Sequence, residues 1–159
     1  MSEDRDMAVE LAVPAYEELG FRQTLLGDKE TMAYNHAYGG VIAFPEEKWD
    51  SWYEHWIEKH EGRRFYRYIQ NTDSKEFVGE TAYHYDEERD IYICDVIVLA
   101  KYRGCGYGSM ALKMLCSAAQ KNGIQELWDD IAFDNPSVNL FLRNGFSVAY
   151  RTDESIMVK

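Results

Sequence analysis

Three prolines, three cysteines and only 17 basic residues in a chain of 159 set the first limits. Cys94, Cys105 and Cys116 are odd in number and form no CxxC pair, which argues against a disulfide framework and a zinc knuckle. His36, His55, His60 and His84 follow no ligand spacing. His55 and His60 are five apart and do not share a helix face. No metal is expected. No run approaches the roughly 18 apolar residues that a membrane span needs. The polar start MSEDRDM has no apolar stretch behind it, so a secretory signal is not expected and a cytoplasmic location is. Basic residues are outnumbered by 28 acidic ones, giving a formal net charge of −11. That field repels phosphate backbones, so nucleic acid is not an expected partner, and without a spanning run neither is a membrane. It attracts cations, which include most amines at pH 7.

What is present reads as one domain over 1–159, since no repeat, low-complexity tract or linker divides it. Apolar residues at 46% and aromatics at 14% provide for a core. Each proline falls where a helix begins. Residues 7–13 alternate as a strand, Pro14 follows, and 15–26 read as a helix stopped by Gly27-Asp28. Residues 35–44, with paired glycines, read as a loop. Pro45-Glu46-Glu47 opens a helix to about Lys59 with acids at the positive end of its dipole. Its Trp49, Trp52, Tyr53, Trp56 and Ile57 form one broad stripe, of the kind that usually packs in a core. Strand patterns follow at 65–70, 76–85 and 91–99, with links too short for a crossover, so an antiparallel meander is expected. The run 91–99 is the most apolar and is expected at the centre of the sheet. Residues 109–121 read as a helix ended by Asn122-Gly123, and 124–133 as a strand completing a βαβ unit. Asp134 or Asn135 caps a last short helix that starts near Pro136 and ends at Gly145. The tail forms a hairpin about Thr152-Asp153-Glu154. The class is α+β: a mixed, largely antiparallel sheet flanked by helices.

Chemistry concentrates between the apolar strand and the helix, at Arg103-Gly104-Cys105-Gly106-Tyr107-Gly108. A helix N-terminus offers unpaired N–H groups and about half a positive charge. Alternating glycines let the backbone approach a pyrophosphate where a Cβ would intrude. A nucleoside-triphosphatase loop would need Gly-Lys-Ser/Thr at its end, and Gly108-Ser109 lacks the lysine. A dinucleotide fingerprint would need glycine at 109, and normally opens a larger domain than the fifty residues that remain, although Asp129 and Asp130 lie at a ribose-contact distance.

The same segment matches, position by position, the Gln/Arg-x-x-Gly-x-Gly/Ala signature of the Gcn5-related N-acetyltransferase (GNAT) family. Val96-Ile97-Val98, then Leu99 to Tyr102, has that family's strand-to-loop spacing. Asp134-Asn135-Pro136-Ser137, ending at Gly145-Phe146, resembles its last helical motif. The resemblance spans most of 60–150. It implies acetyl-CoA as acyl donor, with the pyrophosphate held by backbone N–H groups across Arg103, Gly104, Cys105, Gly106, Tyr107, Gly108 and Ser109. It implies that Val96, Ile97 and Val98 pair with the pantetheine amides, through a splay between strands 91–99 and 124–133. One N–H there would polarise the thioester carbonyl. Asn135, Ser137 and Phe141 are further cofactor-contact positions by the same resemblance, and a homodimer is allowed by it.

Transfer to an amine needs a neutral nitrogen, whereas a free alkylamine has a pKa near ~10.4. A base is therefore required. Asp95 interrupts an apolar strand beside the expected cofactor edge and is the first candidate; Glu80 is the second. The family's acid for the leaving thiolate is a tyrosine of the last helix. Here that place falls on Phe141, or on Leu142 with a one-residue shortening, and neither can donate a proton. Tyr107, Tyr150 or water remain. Cys105, at a helix N-terminus, has no histidine near in sequence to make it a nucleophile. The expected activity is transfer of acetyl from acetyl-CoA to a primary amine, a small cationic one or a protein amine. Tyr34, Tyr38, Trp49 and Tyr53 are candidates to enclose its ammonium. The alternative is an acyl-CoA-binding module without turnover.

Overall fold

In the computed structural model the described residues are 8–33, 40–132, 135–152 and 155–159. Tyr34, Tyr38, His36, Asp134, Asp153 and Glu154 lie outside them.

The chain begins with β1 (Val9–Ala12), a short 3₁₀ turn and α1 (Leu19–Gly27). The second helical stretch is not one α-helix but three pieces. A 3₁₀ turn (Glu46–Lys48) leads into α2 (Trp49–Tyr53) and then into a π-helical turn (Glu54–Glu58). Lys59 N–H reaching Glu54 O at 2.7 Å closes that wider turn. The extra residue per turn lets Trp52 and Trp56 both lie against Tyr66.

The meander follows as β2 (Arg64–Asn71), β3 (Phe77–Asp86) and β4 (Ile91–Val98), antiparallel in the order β1-β2-β3-β4. Its turns are built by side chains. Asn71 Oδ1 accepts from Asp73 and Ser74 N–H, and Asp86 Oδ1 accepts from Glu88 and Arg89 N–H. Then come α3 (Tyr107–Lys121), β5 (Asp129–Ala132), α4 (Ser137–Arg143), β6 (Val148–Arg151) and β7 (Ser155–Val158). Both α3 and α4 end as expected on glycines of positive φ, Gly123 and Gly145. Ile124 N–H returns to Ala119 O and Phe146 N–H to Phe141 O, and Phe146 packs edge-on against Phe141.

Two expectations need correction. The sheet is in two antiparallel pieces, β1-β2-β3-β4 and β5-β7-β6. Among the described residues they are joined by a single parallel bridge, Ile93 to Trp128. The apolar strand β4 is thus the edge of its own sheet and not its centre. It reads as a buried run because Cys94, Val96 and Val98 pack on the α3 side and Ile97 packs with Leu19, Leu26, Met32 and Phe44 on the other. The strand expected over 124–133 is also shorter, because the chain must leave the Schellman turn at Gly123 before it can pair. Trp128 alone meets β4, and the ladder to β7 starts at Asp129.

The two faces of the larger sheet carry different cores. Tyr83, Cys94 and Val96 pack on the α3 side with Leu112, Leu115 and Phe141. Tyr66, Tyr68 and Ala82 pack on the other side with Phe21, Trp52, Trp56 and Ile57. The aromatic stripe is therefore core. Gly79 governs how β4 lies on β3: a Cβ there would sit 2.2 Å from the carbonyl oxygen of Ile97. Gly79→Ala is expected to lower stability by about 1–3 kcal/mol through forced backbone displacement, read as a lowered urea midpoint at unchanged slope.

Candidate active site

β4 and β5 part immediately after their one bridge. Cys94 N–H donates to Trp128 O at 2.7 Å, and Trp128 N–H donates to Tyr92 O at 2.8 Å. Beyond these, a cleft of about 700 Å³ opens between Asp95–Val98 on one wall and Asp129–Ala132 on the other. Strand alternation fixes what β4 shows to it. Leu99 N–H pairs with Val78 O of β3, so Ile97 and Asp95 also address β3. Cys94 addresses Trp128, so the backbone groups of Val96 and Val98 face the open side. Among the described residues these strand-edge groups have no partner, and they can bind an extended amide-bearing chain.

At the far end of the cleft stands the glycine segment. Gly104 and Gly106 have φ of 78° and 93°, the left-handed region that glycine tolerates. Gly106 caps α3 in that conformation. Among the described residues, no acceptor is found for the backbone N–H groups from Gly104 to Ser109, and Met110 N–H is the first to close a helical bond, to Gly106 O. Gly108 lies against α4, where a Cβ would meet Leu140 Cδ2 at 3.2 Å. Asn144 Nδ2 ties the two helices by donating to Ser109 Oγ (3.1 Å) and Leu140 O (2.8 Å). The Tyr107 side chain is buried, and its hydroxyl accepts from Asn71 Nδ2 at 2.8 Å. Arg103 lines the cleft while Nη2 donates to Thr31 O at 2.7 Å. Thr31 Oγ1 in turn accepts from Ala100 N–H at 2.9 Å. Free N–H groups, a helix N-terminus of 15 residues and small residues at the closest approach fit a pyrophosphate.

The expected positions separate into three groups. Val96, Ile97, Val98, Arg103, Gly104, Gly106, Tyr107, Gly108, Ser109, Asn135 and Ser137 line the cleft, as does Asp95. Cys105 is exposed outside it, its thiol 3.8 Å from Arg103 O. Phe141 does not line it at all: at 1% exposure it belongs to the core on the opposite side of α4. The helix presents Asn139, Leu140 and Arg143 to the cleft instead, because a helix that buries position 141 turns 140 and 143 outward. Tyr150 is 48% exposed on β6 and, like Leu142, is absent from the cleft walls. Trp49 and Tyr53 pack with Leu19, Leu26, Met32 and Phe44; Tyr53 Oη donates to Pro14 O at 2.8 Å. They line no part of the cleft described.

The two candidate bases differ sharply. Glu80 is 4% exposed. Tyr66 Oη donates to its Oε1, and Arg22 Nε stands 3.3 Å from the same oxygen. The Arg22 guanidinium lies 4.6 Å from the ring centres of both Phe44 and Trp52. Glu80 is thus engaged, and it faces no cleft. Asp95 sits across β3 from Ala82, on the same sheet face as Glu80, with its carboxyl open to the cleft. Burial among the walls and the Glu80 charge push it up to about 7, against the pull of Arg22. Because water still reaches it, the desolvation part of this rise is complete only when an occupant fills the cleft. Arg22 carries no sequence signal beyond a helical register. Asp129, which the sequence offers only as a ribose contact of the weaker dinucleotide alternative, lines the fork with Asp95.

A profile of the acetyltransferase (GNAT) family matches residues 29–146. The chain belongs to that family of acetyltransferases. Solved structures agree on the fold. A spermidine N-acetyltransferase from Vibrio cholerae, in complex with CoA and spermine, has a TM-score of 0.76 at 14% identity, covering 94% of this chain and 93% of its own. A GNAT acetyltransferase from Bacillus anthracis gives 0.76 at 13%, covering 95% and 93%. A Salmonella typhimurium protein with its cofactor acetyl-CoA gives 0.74 at 15%, covering 95% and 92%. No curated protein matches the chain by sequence.

Arg22→Ala leaves Glu80 buried without its cation. It is expected to cost about 3–5 kcal/mol, measured by chemical denaturation at neutral pH, with partial recovery in Arg22→Ala/Glu80→Gln.

Proposed function

We propose that the chain acetylates a small cationic primary amine by direct attack on acetyl-CoA. The observation that supports this reading is a single cleft with a helix N-terminus at one end and Asp95 at the other. Acetyl-CoA supplies the activated carbonyl and a thiol leaving group. Gly104 to Ser109 would hold its pyrophosphate, and Val96 and Val98 would hold its amides. One of these strand-edge N–H groups would stabilise the oxyanion. Asp95 takes the proton from the attacking nitrogen, a task suited to a carboxyl near neutrality.

The acceptor is read as cationic from the net charge of −11 and from three aspartates at the cleft, Asp95, Asp129 and Asp130. That the Vibrio cholerae relative was solved with spermine agrees with a polyamine-like acceptor. The burial of Phe141 favours the second reading, a module that binds acyl-CoA without turning it over.

Titration calorimetry with acetyl-CoA and a thiol-release assay over a panel of amines decide between them. Amine-dependent release of CoA supports transfer. Binding without release under any amine supports the module, and no binding at millimolar acetyl-CoA overturns both. For the enzyme, kcat/KM is expected to rise as pH rises through about 7, the direction set by a base that works only when deprotonated. Asp95→Asn is expected to lower kcat by about 10²–10⁴-fold while the acetyl-CoA Kd by calorimetry changes little.

A further inference from the structure

The last helix brings no tyrosine to the cleft: Phe141 is in the core, and α4 turns Ser137, Asn139, Leu140 and Arg143 toward the opening. Amide formation nevertheless leaves a thiolate. A donor must be sought among the groups that already line the fork.

Asp129 is the first residue of β5 beyond the bridge at Trp128, so it stands where the cleft begins. It is half-buried. One carboxyl oxygen, Oδ1, accepts from Asp130 N–H at 2.8 Å, which holds the side chain in place. On β7 it stands in register with Val158. Among the described residues, the titratable groups interacting with it are Asp95 and Cys94 on β4 and its neighbour Asp130, and Arg143 of α4 lines the same cleft. Asp130 is itself turned to Arg89, at 3.3 Å.

We propose that Asp129 is a second catalytic residue, the acid that protonates the departing thiolate in place of the family's tyrosine. This rests on the reading of the cleft as an acetyl-transfer site. The bound ammonium first gives one proton to solvent, and from the neutral amine onward the proton balance closes within the pair. As the amine nitrogen bonds to the carbonyl carbon, its proton passes to the Asp95 carboxylate. As the C–S bond breaks, sulfur takes the proton of the Asp129 carboxyl. Asp95 then returns its proton to Asp129, and both groups are restored without an outside donor. Burial and the neighbouring Asp95 charge hold the Asp129 carboxyl well above the usual carboxylate range, against the Asp130 N–H bond.

An infrared titration of the free chain upward from neutral pH tests the protonation without any substrate. One carboxyl stretch is expected to fade through about 7 as Asp95 ionises, and a second to persist above it, lost in Asp129→Asn and kept in Asp129→Glu. Absence of this second stretch from the wild type overturns the proposal. Kinetics test the role. Asp129→Asn, checked by circular dichroism for its fold, is expected to slow transfer from acetyl-CoA by about 10²-fold. From phenyl thioacetate, whose aryl thiol leaves without help, the loss is expected to be less than about tenfold. An equal loss with both donors, or none with either, overturns the acid assignment while transfer by the wild type stands. A wild-type chain that transfers no acetyl group overturns the underlying reading as well.

Discussion

The parting of β4 from β5 is the constraint on which the rest of the site depends. Two hydrogen bonds at Trp128 hold the half-sheets together, and among the described residues no further ladder joins them. An unpaired strand edge is ordinarily a liability that proteins cover or charge. Here the free groups of Val96 and Val98 are walled in by α3, α4 and β5, so the edge is available to a chain-like ligand and shielded from other sheets. The position of the fork also fixes the distance from the helix N-terminus at Gly106 to the carboxylates at its base.

The electrostatics follow from the same geometry. Glu80 and Asp95 share one sheet face, two positions apart along the register. A single arginine on α1, clamped between Phe44 and Trp52, serves as the counter-charge. Arg22 satisfies Glu80 first, so Asp95 feels a neighbouring anion more than a neighbouring cation. A carboxylate left under-compensated in a concave wall is a better base than one that is paired. The fold therefore sorts two similar residues into a structural role and a chemical one by the placement of one guanidinium.

Much of this was legible in the sequence, for local reasons. Helix starts at proline, the Schellman stops at Gly123 and Gly145 and the Asn71 and Asp86 turns are short-range devices. The glycine segment could be placed because its flanking strand and helix were periodic. The division of the sheet was not legible, since β4 is apolar whether its neighbour is another strand or a covered cleft. Nor was the orientation of position 141. The motif spacing counts residues from the glycine, whereas burial is decided by which face of α4 meets Leu115 and Phe146. Arg22 was invisible because its partner is nearly sixty residues away and its cationic character is unremarkable on a helix.

The hydrogen bond from Asn71 to the Tyr107 hydroxyl links a turn of the meander to the first residue of α3. Asn71 is itself fixed by the two N–H groups it accepts in that turn. The first turn of α3 is thus pinned from the side of the sheet and, through Asn144, from α4. Its conformational entropy is surrendered when the chain folds and not when a ligand arrives, so a phosphate group entering the cleft keeps a larger share of its contact energy as affinity.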